Sequence, residues 1–414
     1  MAEMGAAAAV PVIPEDVVIE ILARVPDPTS LFRCAAVCRR WRRLIAEPAF
    51  LRRRWPRGTG GAALLGFFAQ RHQIQANARR KLTKLFPTRA PALVAAPDRG
   101  RNPPIGLGRR LFLTDFVRDD GATAGIFDQA KPVAARGGLL LMRVFPRAPS
   151  PPAQNVLHLC VCNLLTGKHD VLPPLQTACF DDDGVRGYAI LTATDHRISR
   201  IPSGGYNTFF QVLLLGIHNG DHQVYLHRFF STTATAIMPP SWSTPTNCSE
   251  RTLGRVWGPY GNRVAAVSNG TAHWLFHGEG QSLYTLDVSI DADNIGATKL
   301  PLDALPIAVR MNRSSTWFRL ETQGGPALWF FTQAIPVVAG KMFLGMESLS
   351  SVCIGEKSGT MLTLYHSDQN RAYVLNLPSG VITRVADWKR WFNYLTAVPF
   401  EINWPIDWAL FGTT

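Results

Sequence analysis

The chain has 414 residues, 46% of them hydrophobic and only 18% charged, so it is long enough for a small module plus a large domain with a substantial core. No run approaches the roughly 18 consecutive apolar residues of a membrane span, and seven scattered cysteines lack the density of a disulfide scaffold. The excess of 43 Lys and Arg over 30 Asp and Glu, a net charge of +13, points to an acidic partner: protein, nucleic acid or membrane surface.

Residues 1–11 are Ala-rich, lack a basic stretch and run straight into prolines, which predicts a disordered N-terminus rather than a secretory signal, and hence an intracellular protein. Short helices are predicted next. Pro14 suits a first helical position, Glu15 and Asp16 suit the positive end of the helix dipole, and Val18, Ile21, Leu22 and Val25 recur at helical spacing. Pro26 and Pro28 stop this helix. A second stripe is read from Leu31, Cys34, Ala35, Cys38 and Trp41. A unit of about 45 residues struggles to bury two such stripes alone, so the apolar faces either close on each other and on the rest of the chain or await a partner.

The order of residue types in this segment resembles the F-box. Ile13-Pro14 with Asp16, Ile21-Leu22, Val25-Pro26, Ser30-Leu31, Val37-Cys38 with Trp41, then Leu44-Ile45, Pro48 and Phe50 follow that family's pattern, with arginines between them. Ile and Val replace two leucines, and the turn through Asp27-Pro28-Thr29 is slightly longer than the commonest form. The resemblance implies a helical F-box over residues 12–55 that binds a Skp-type adaptor and, through it, a cullin. It implies adaptor-binding residues at Ile13, Pro14, Ile21, Leu22, Val25, Pro26, Leu31, Val37, Cys38, Trp41, Leu44 and Ile45. Of these, Pro14, Leu22, Pro26, Leu31 and Trp41 are the expected direct contacts, and the flanking arginines would steer an acidic adaptor.

Glycines 58, 60 and 61 mark residues 56–63 as a linker, and from residue 64 to 414 the helical period gives way to short strands. Runs at Leu64–Phe68, Arg110–Phe116, Leu139–Val144, Val156–Cys162, Tyr188–Ala193, Phe209–Ile217 and Gln223–Phe229 are bounded by Gly, Pro, Asn or Asp, and Asn219-Gly220-Asp221 signals a hairpin. Three stretches share one rhythm of strand, turn, strand ending in Asn or Asp, turn, strand. They run from Gly137-Gly138 to Leu172-Pro173, from Asn269-Gly270 to Leu300-Pro301, and from Ser358-Gly359 to Ser379-Gly380. Repeated antiparallel units predict an all-β propeller, and roughly 40 to 50 residues per unit predict six to eight blades. Paired β-sandwiches are the alternative fold. Phrases such as Cys162-Asn163-Leu164-Leu165-Thr166-Gly167 resemble the β-propeller-like domains that follow the F-box in many plant F-box proteins.

Chemistry is not legible. No nucleophile elbow or P-loop occurs, and the glycine pairs at 106 and 108 and at 278 and 280 lack the third glycine of a dinucleotide site. His158, Cys160 and Cys162 on one strand, His218, His222 and His227 around a hairpin, and Asp181-Asp182-Asp183 lack the paired or alternating spacing of a metal site. Most tryptophans, Trp242 and Trp274 among them, read as core. The expectation is a non-catalytic subunit with no cofactor and no metal, nuclear or cytoplasmic, recruiting a target protein to a Skp/cullin/F-box ubiquitin ligase. A basic nucleic-acid-associated protein is the alternative, weakened by the scarcity of aromatics among the basic residues from Arg71 to Arg110.

Overall fold

The computed structural model describes residues 13–26, 28–55, 62–76, 82–85, 90–96, 111–117, 125–145, 156–176, 185–192, 195, 210–217, 223–231, 241–248, 256–259, 264–268, 270–278, 283–289, 294–300, 349–355, 358–365, 371–376, 381–385 and 394–403. The residues given to the disordered N-terminus, the linker glycines, the 219–221 hairpin turn, and the 181–183, 218 and 222 ligand candidates lie outside these.

The N-terminal segment is four short helices: α1 Glu15–Ala23, α2 Pro28–Val37, α3 Arg39–Ala46 and α4 Pro48–Arg54. Pro14 is the N-cap of α1, and its carbonyl accepts from Val18 N–H at 3.1 Å. The second stripe does not run through one helix as its spacing predicts. Cys38 is extended (φ −160°) and its Sγ accepts from Trp41 N–H at 3.5 Å, so the thiol caps α3 and the chain breaks between α2 and α3. An apolar period continues across a one-residue break because the flanking helices face the same core.

The other described residues form five antiparallel sheets and one helical turn. Sheet 1 runs β23 (Tyr394–Asn403), β1 (Ala62–Ala76), β3 (Ala92–Ala95), β4 (Leu111–Phe112), with β2 (Leu82–Leu85) on the far end of β1. Sheet 2 is β5 (Lys131–Arg136), β6 (Leu139–Val144), β7 (Val156–Asn163) and β8 (Lys168–Val171), with β9 (Leu175–Gln176) beside β7. Sheet 3 is β10 (Val185–Thr192), β11 (Phe210–Ile217), β12 (Val224–Phe230) and β13 (Thr246–Asn247). In sheet 4, β14 (Val256–Pro259) and β15 (Ala266–Ser268) both pair with β16 (Thr271–Gly278), followed by β17 (Leu283–Ser289) and β18 (Ile295–Leu300). Sheet 5 is β19 (Leu349–Gly355), β20 (Thr360–Tyr365), β21 (Arg371–Asn376) and β22 (Val381–Arg384).

The three repeats found in the sequence occupy equivalent places: the last three main strands of sheets 2, 4 and 5. Gly137 and Gly138, at φ +54° and +79°, make the β5–β6 turn that a Cβ would strain. The run from Arg110 to Phe116 is not one strand. After β4 the chain forms a helical turn, α5 (Leu113–Phe116), because the Asp115 carboxylate accepts from Phe112 N–H at 2.7 Å and starts a helix there.

Neighbouring sheets meet through their first strands: β19 on β23, β23 on β5, β5 on β10 and β10 on β14. Tyr188 and Val264 form a parallel bridge between sheets 3 and 4. One apolar core joins the helices to sheets 1, 2 and 3, a second fills the space between sheets 3 and 4, and a third lies between sheets 1 and 5.

Candidate docking site on the helical segment

Helix α1 has two apolar faces. Val18 and Leu22 are buried, whereas Val17 and Ile21, one turn apart, are 44% and 51% exposed, and Ile13, just ahead of the helix, is 50% exposed. Val37, at the end of α2, is 65% exposed, and Cys38 beside it is exposed too. Branched apolar side chains left in water on a helix this short are the feature that needs explaining.

The residues singled out from the sequence separate by burial. Ile13, Pro14, Ile21, Pro26, Val37 and Cys38 are exposed, Val25 and Trp41 are partly buried, and Leu22, Leu31, Leu44 and Ile45 are buried in the chain's own core. Leu22 and Leu31, expected as direct contacts, therefore offer no surface to a partner in this conformation. Helical period finds a helix's apolar face without saying whether the same chain or another covers it. Val17 was missed, although its place midway between Ile13 and Ile21 was a readable signal.

Arginines fix this surface. Arg40 Nη2 donates to Ile13 O at 2.7 Å and anchors the chain ahead of α1. Glu15 pairs with Arg43 at 2.8 Å and with Arg40 at 3.5 Å, and Glu20 pairs with Arg24 at 3.3 Å and with Arg53. The Arg53 hydrogen bond, with its charge, holds the Glu20 carboxyl below its ordinary range. Arg54 Nη2 donates to Val25 O and Pro26 O at 3.2 and 2.9 Å, clasping the α1–α2 connection. These pairs are exposed and each contributes little to stability; they leave Glu15 and Glu20 ion-paired with more arginines than carboxylates.

The rear of the helices is occupied. Phe32 of α2 stacks on Phe116 of α5 at 5.0 Å and tilts against Phe400 of β23 at 5.2 Å, while Phe68 of β1 meets both rings edge-on. Arg42 of α3 lies along the β7–β8 turn, where a Cβ added to Gly167 (φ +77°) would sit 2.2 Å from Arg42 Nη1.

Residues 10–55 match the F-box-like family model. The F-box-like domain thus coincides with the four helices that carry the exposed stripe. Among curated proteins no relative matches the chain. Of the solved structures, an α-L-arabinanase of Penicillium chrysogenum complexed with arabinobiose is similar at 12% identity and a TM-score of 0.35, over 62% of this chain and 80% of the arabinanase. A likeness that low carries no argument about this chain.

Elsewhere, Cys160 and Cys162 are buried with their thiols 3.9 Å apart, and burial, then contact with Cys160, pushes the Cys162 thiol well up. No cluster of three metal-ligating side chains occurs among the described residues. Among the same residues no helix is long and apolar enough to cross a membrane.

Proposed function

We propose that this chain is the substrate-recruiting subunit of a Skp/cullin/F-box ubiquitin ligase, itself non-catalytic and working in the nucleus or cytoplasm. The observation that carries the reading is the Ile13, Val17, Ile21 stripe, exposed on a segment that matches the F-box-like family. A Skp-type adaptor would cover the stripe by apolar contact, and Arg40, Arg43 and Arg53 would steer an acidic partner toward it. Cullin would follow through the adaptor, and ubiquitin transfer would belong to other subunits.

The β region is proposed as a propeller that holds the target protein. Support comes from the meander order of sheets 2, 3 and 5, the meeting of sheets through their first strands, and the parallel bridge from Tyr188 of β10 to Val264, just ahead of β15. Pairing of the C-terminal β23 with the N-terminal β1 fits closure of a ring, which removes free sheet edges. Five blades fall among the described residues; the expected count of six to eight depends also on residues 301–348, which lie outside them.

The test is capture of a purified Skp-type adaptor by the full-length chain. Val17→Glu with Ile21→Glu places two charges on the stripe and should weaken capture by on the order of a hundredfold, as burying an unpaired charge in an interface does. Arg43→Ala should cause only a small, salt-sensitive loss of association rate. Undiminished capture by the doubly charged, folded variant removes the stripe as the docking face. Salt-dependent retention on DNA or RNA, with no adaptor capture, would move the reading to the nucleic-acid alternative.

A further inference from the structure

We infer that the β region controls whether the docking stripe keeps its shape: the F-box-like helices and sheets 1 and 2 form one cooperative unit keyed by Phe32. The consequence for adaptor capture rests on the function proposed above; the coupling itself does not.

Helix α1 has only Val18 and Leu22 fully buried and Ile19 partly so, and it leaves Val17 and Ile21 in water. A segment of this size has too little interior to be stable alone. The missing interior is supplied by the β region. Phe32 points away from the four helices into a cluster of Phe68, Phe116 and Phe400, which come from β1, α5 and β23. These elements are far apart in sequence and meet only when sheet 1 has been completed by its C-terminal strand. Both Phe32 and Phe400 are 1% exposed, so neither ring contributes to the surface on which a partner would dock.

A second tie comes from α3, whose Arg42 fills the space over Gly167 in the β7–β8 turn, with Phe116 O nearby. The helices, α5 and sheets 1 and 2 share a single continuous apolar core. Such a core opens as a unit unless a weaker internal seam exists. A ligand that binds only the folded β region therefore stabilises the helices by the same mass-action free energy. Loosening of sheet 1 has the opposite effect on α1, which itself packs on α3 and α4.

The experiment follows backbone amide exchange and adaptor capture in the full-length chain, with Phe400→Leu as a mild perturbation of the cluster and Phe116→Ala as a strong one. Exchange at Val18 in α1 and Arg42 in α3 should accelerate together with exchange in β1 and β23. The acceleration should be roughly tenfold for Phe400→Leu and larger for Phe116→Ala, and capture should weaken in the same order. If Phe116→Ala does not fold at all, the wild-type chain in rising urea decides: helix and sheet amides should report one opening with one urea dependence. Helix amides that keep their wild-type rates in Phe400→Leu, or open at lower urea than β1, overturn the inference. Val17→Glu with Ile21→Glu should weaken capture by the same factor of about a hundred without altering exchange, so failure of the docking face and failure of the coupling give different results.

Discussion

Ile21 and Leu22 are adjacent in sequence and opposite in environment: one is half exposed on the stripe, the other fully buried. Leu22→Ala should therefore lower stability by about 2 to 5 kcal/mol, the range for truncating a buried leucine. Ile21→Ala should leave stability within about 0.5 kcal/mol of wild type, as surface substitutions do, while weakening adaptor capture. Urea midpoints and a binding titration on the same two proteins separate the roles, and an equal stability loss in both would contradict the assignment. Gly167→Ala should cost about 1 to 3 kcal/mol in thermal stability, because the added Cβ meets Phe116 O and the guanidinium of Arg42 at a backbone angle that favours glycine.

Acid sensitivity is also set residue by residue. Burial lowers the affinity of His158 and His227 for a proton, so the unfolded chain binds protons that the folded one resists. Their contribution is complete above the unfolded value of about 6.5 and declines as pH falls below it. Asp287 acts lower on the scale. Burial pushes its carboxyl up, but hydrogen bonds from His273 at 2.7 Å, Thr298 at 2.9 Å and Thr285 outweigh burial and leave it below the ordinary value. A depressed carboxyl stabilises above its unfolded value near about 4, and that stabilisation is lost as pH falls through the folded value. Urea midpoints measured across the acid range should fall in two stages. Asp287→Asn should flatten the lower stage, and His158→Gln should reduce the upper one.

At the scale of elements, the joints between sheets are polar as well as apolar. Arg136, at the end of β5, donates from Nε and Nη2 to Asp195 at 2.6 to 2.8 Å and reaches Val267 O in sheet 4 at 3.5 Å, so one side chain ties three sheets. Asp195 also accepts from Thr192 N–H and Oγ1 at the end of β10. With Asp195 only 7% exposed, Asp195→Ala strands a largely buried guanidinium and should cost about 3 to 5 kcal/mol, measurable as a lower thermal midpoint. On the other side of sheet 1, Glu401 of β23 accepts from Ser358 N–H at 2.8 Å and fastens the C-terminal strand to sheet 5. Ending the chain before Tyr394 would expose the long edge of β1, and such a protein should aggregate, measurable by light scattering against the full-length chain.

For the whole molecule, the sequence determined the local grammar. Pro14 with Glu15 and Asp16 starts a helix wherever it is placed, and the repeated strand, turn, strand rhythm gave three equivalent sets of strands their bounds to within a few residues. The order of apolar and Pro positions from Ile13 to Phe50 was specific enough to indicate the F-box-like segment that the family match also finds. What the sequence could not carry was which apolar residues face a partner. Leu22 and Ile21 satisfy the same period, and the difference between them depends on where α3 and α4 close against α1. Cys38 read as a packing residue but caps a helix, because a thiol accepts a hydrogen bond only once the backbone has turned extended there. The pairing of β23 with β1 and the Phe32, Phe68, Phe116, Phe400 cluster were likewise invisible, since each joins segments hundreds of residues apart and no local pattern encodes contact at that range. Tertiary structure alone decided that the helices rest on the β region and turn Ile13, Val17 and Ile21 outward, because the buried faces had already found partners within the chain.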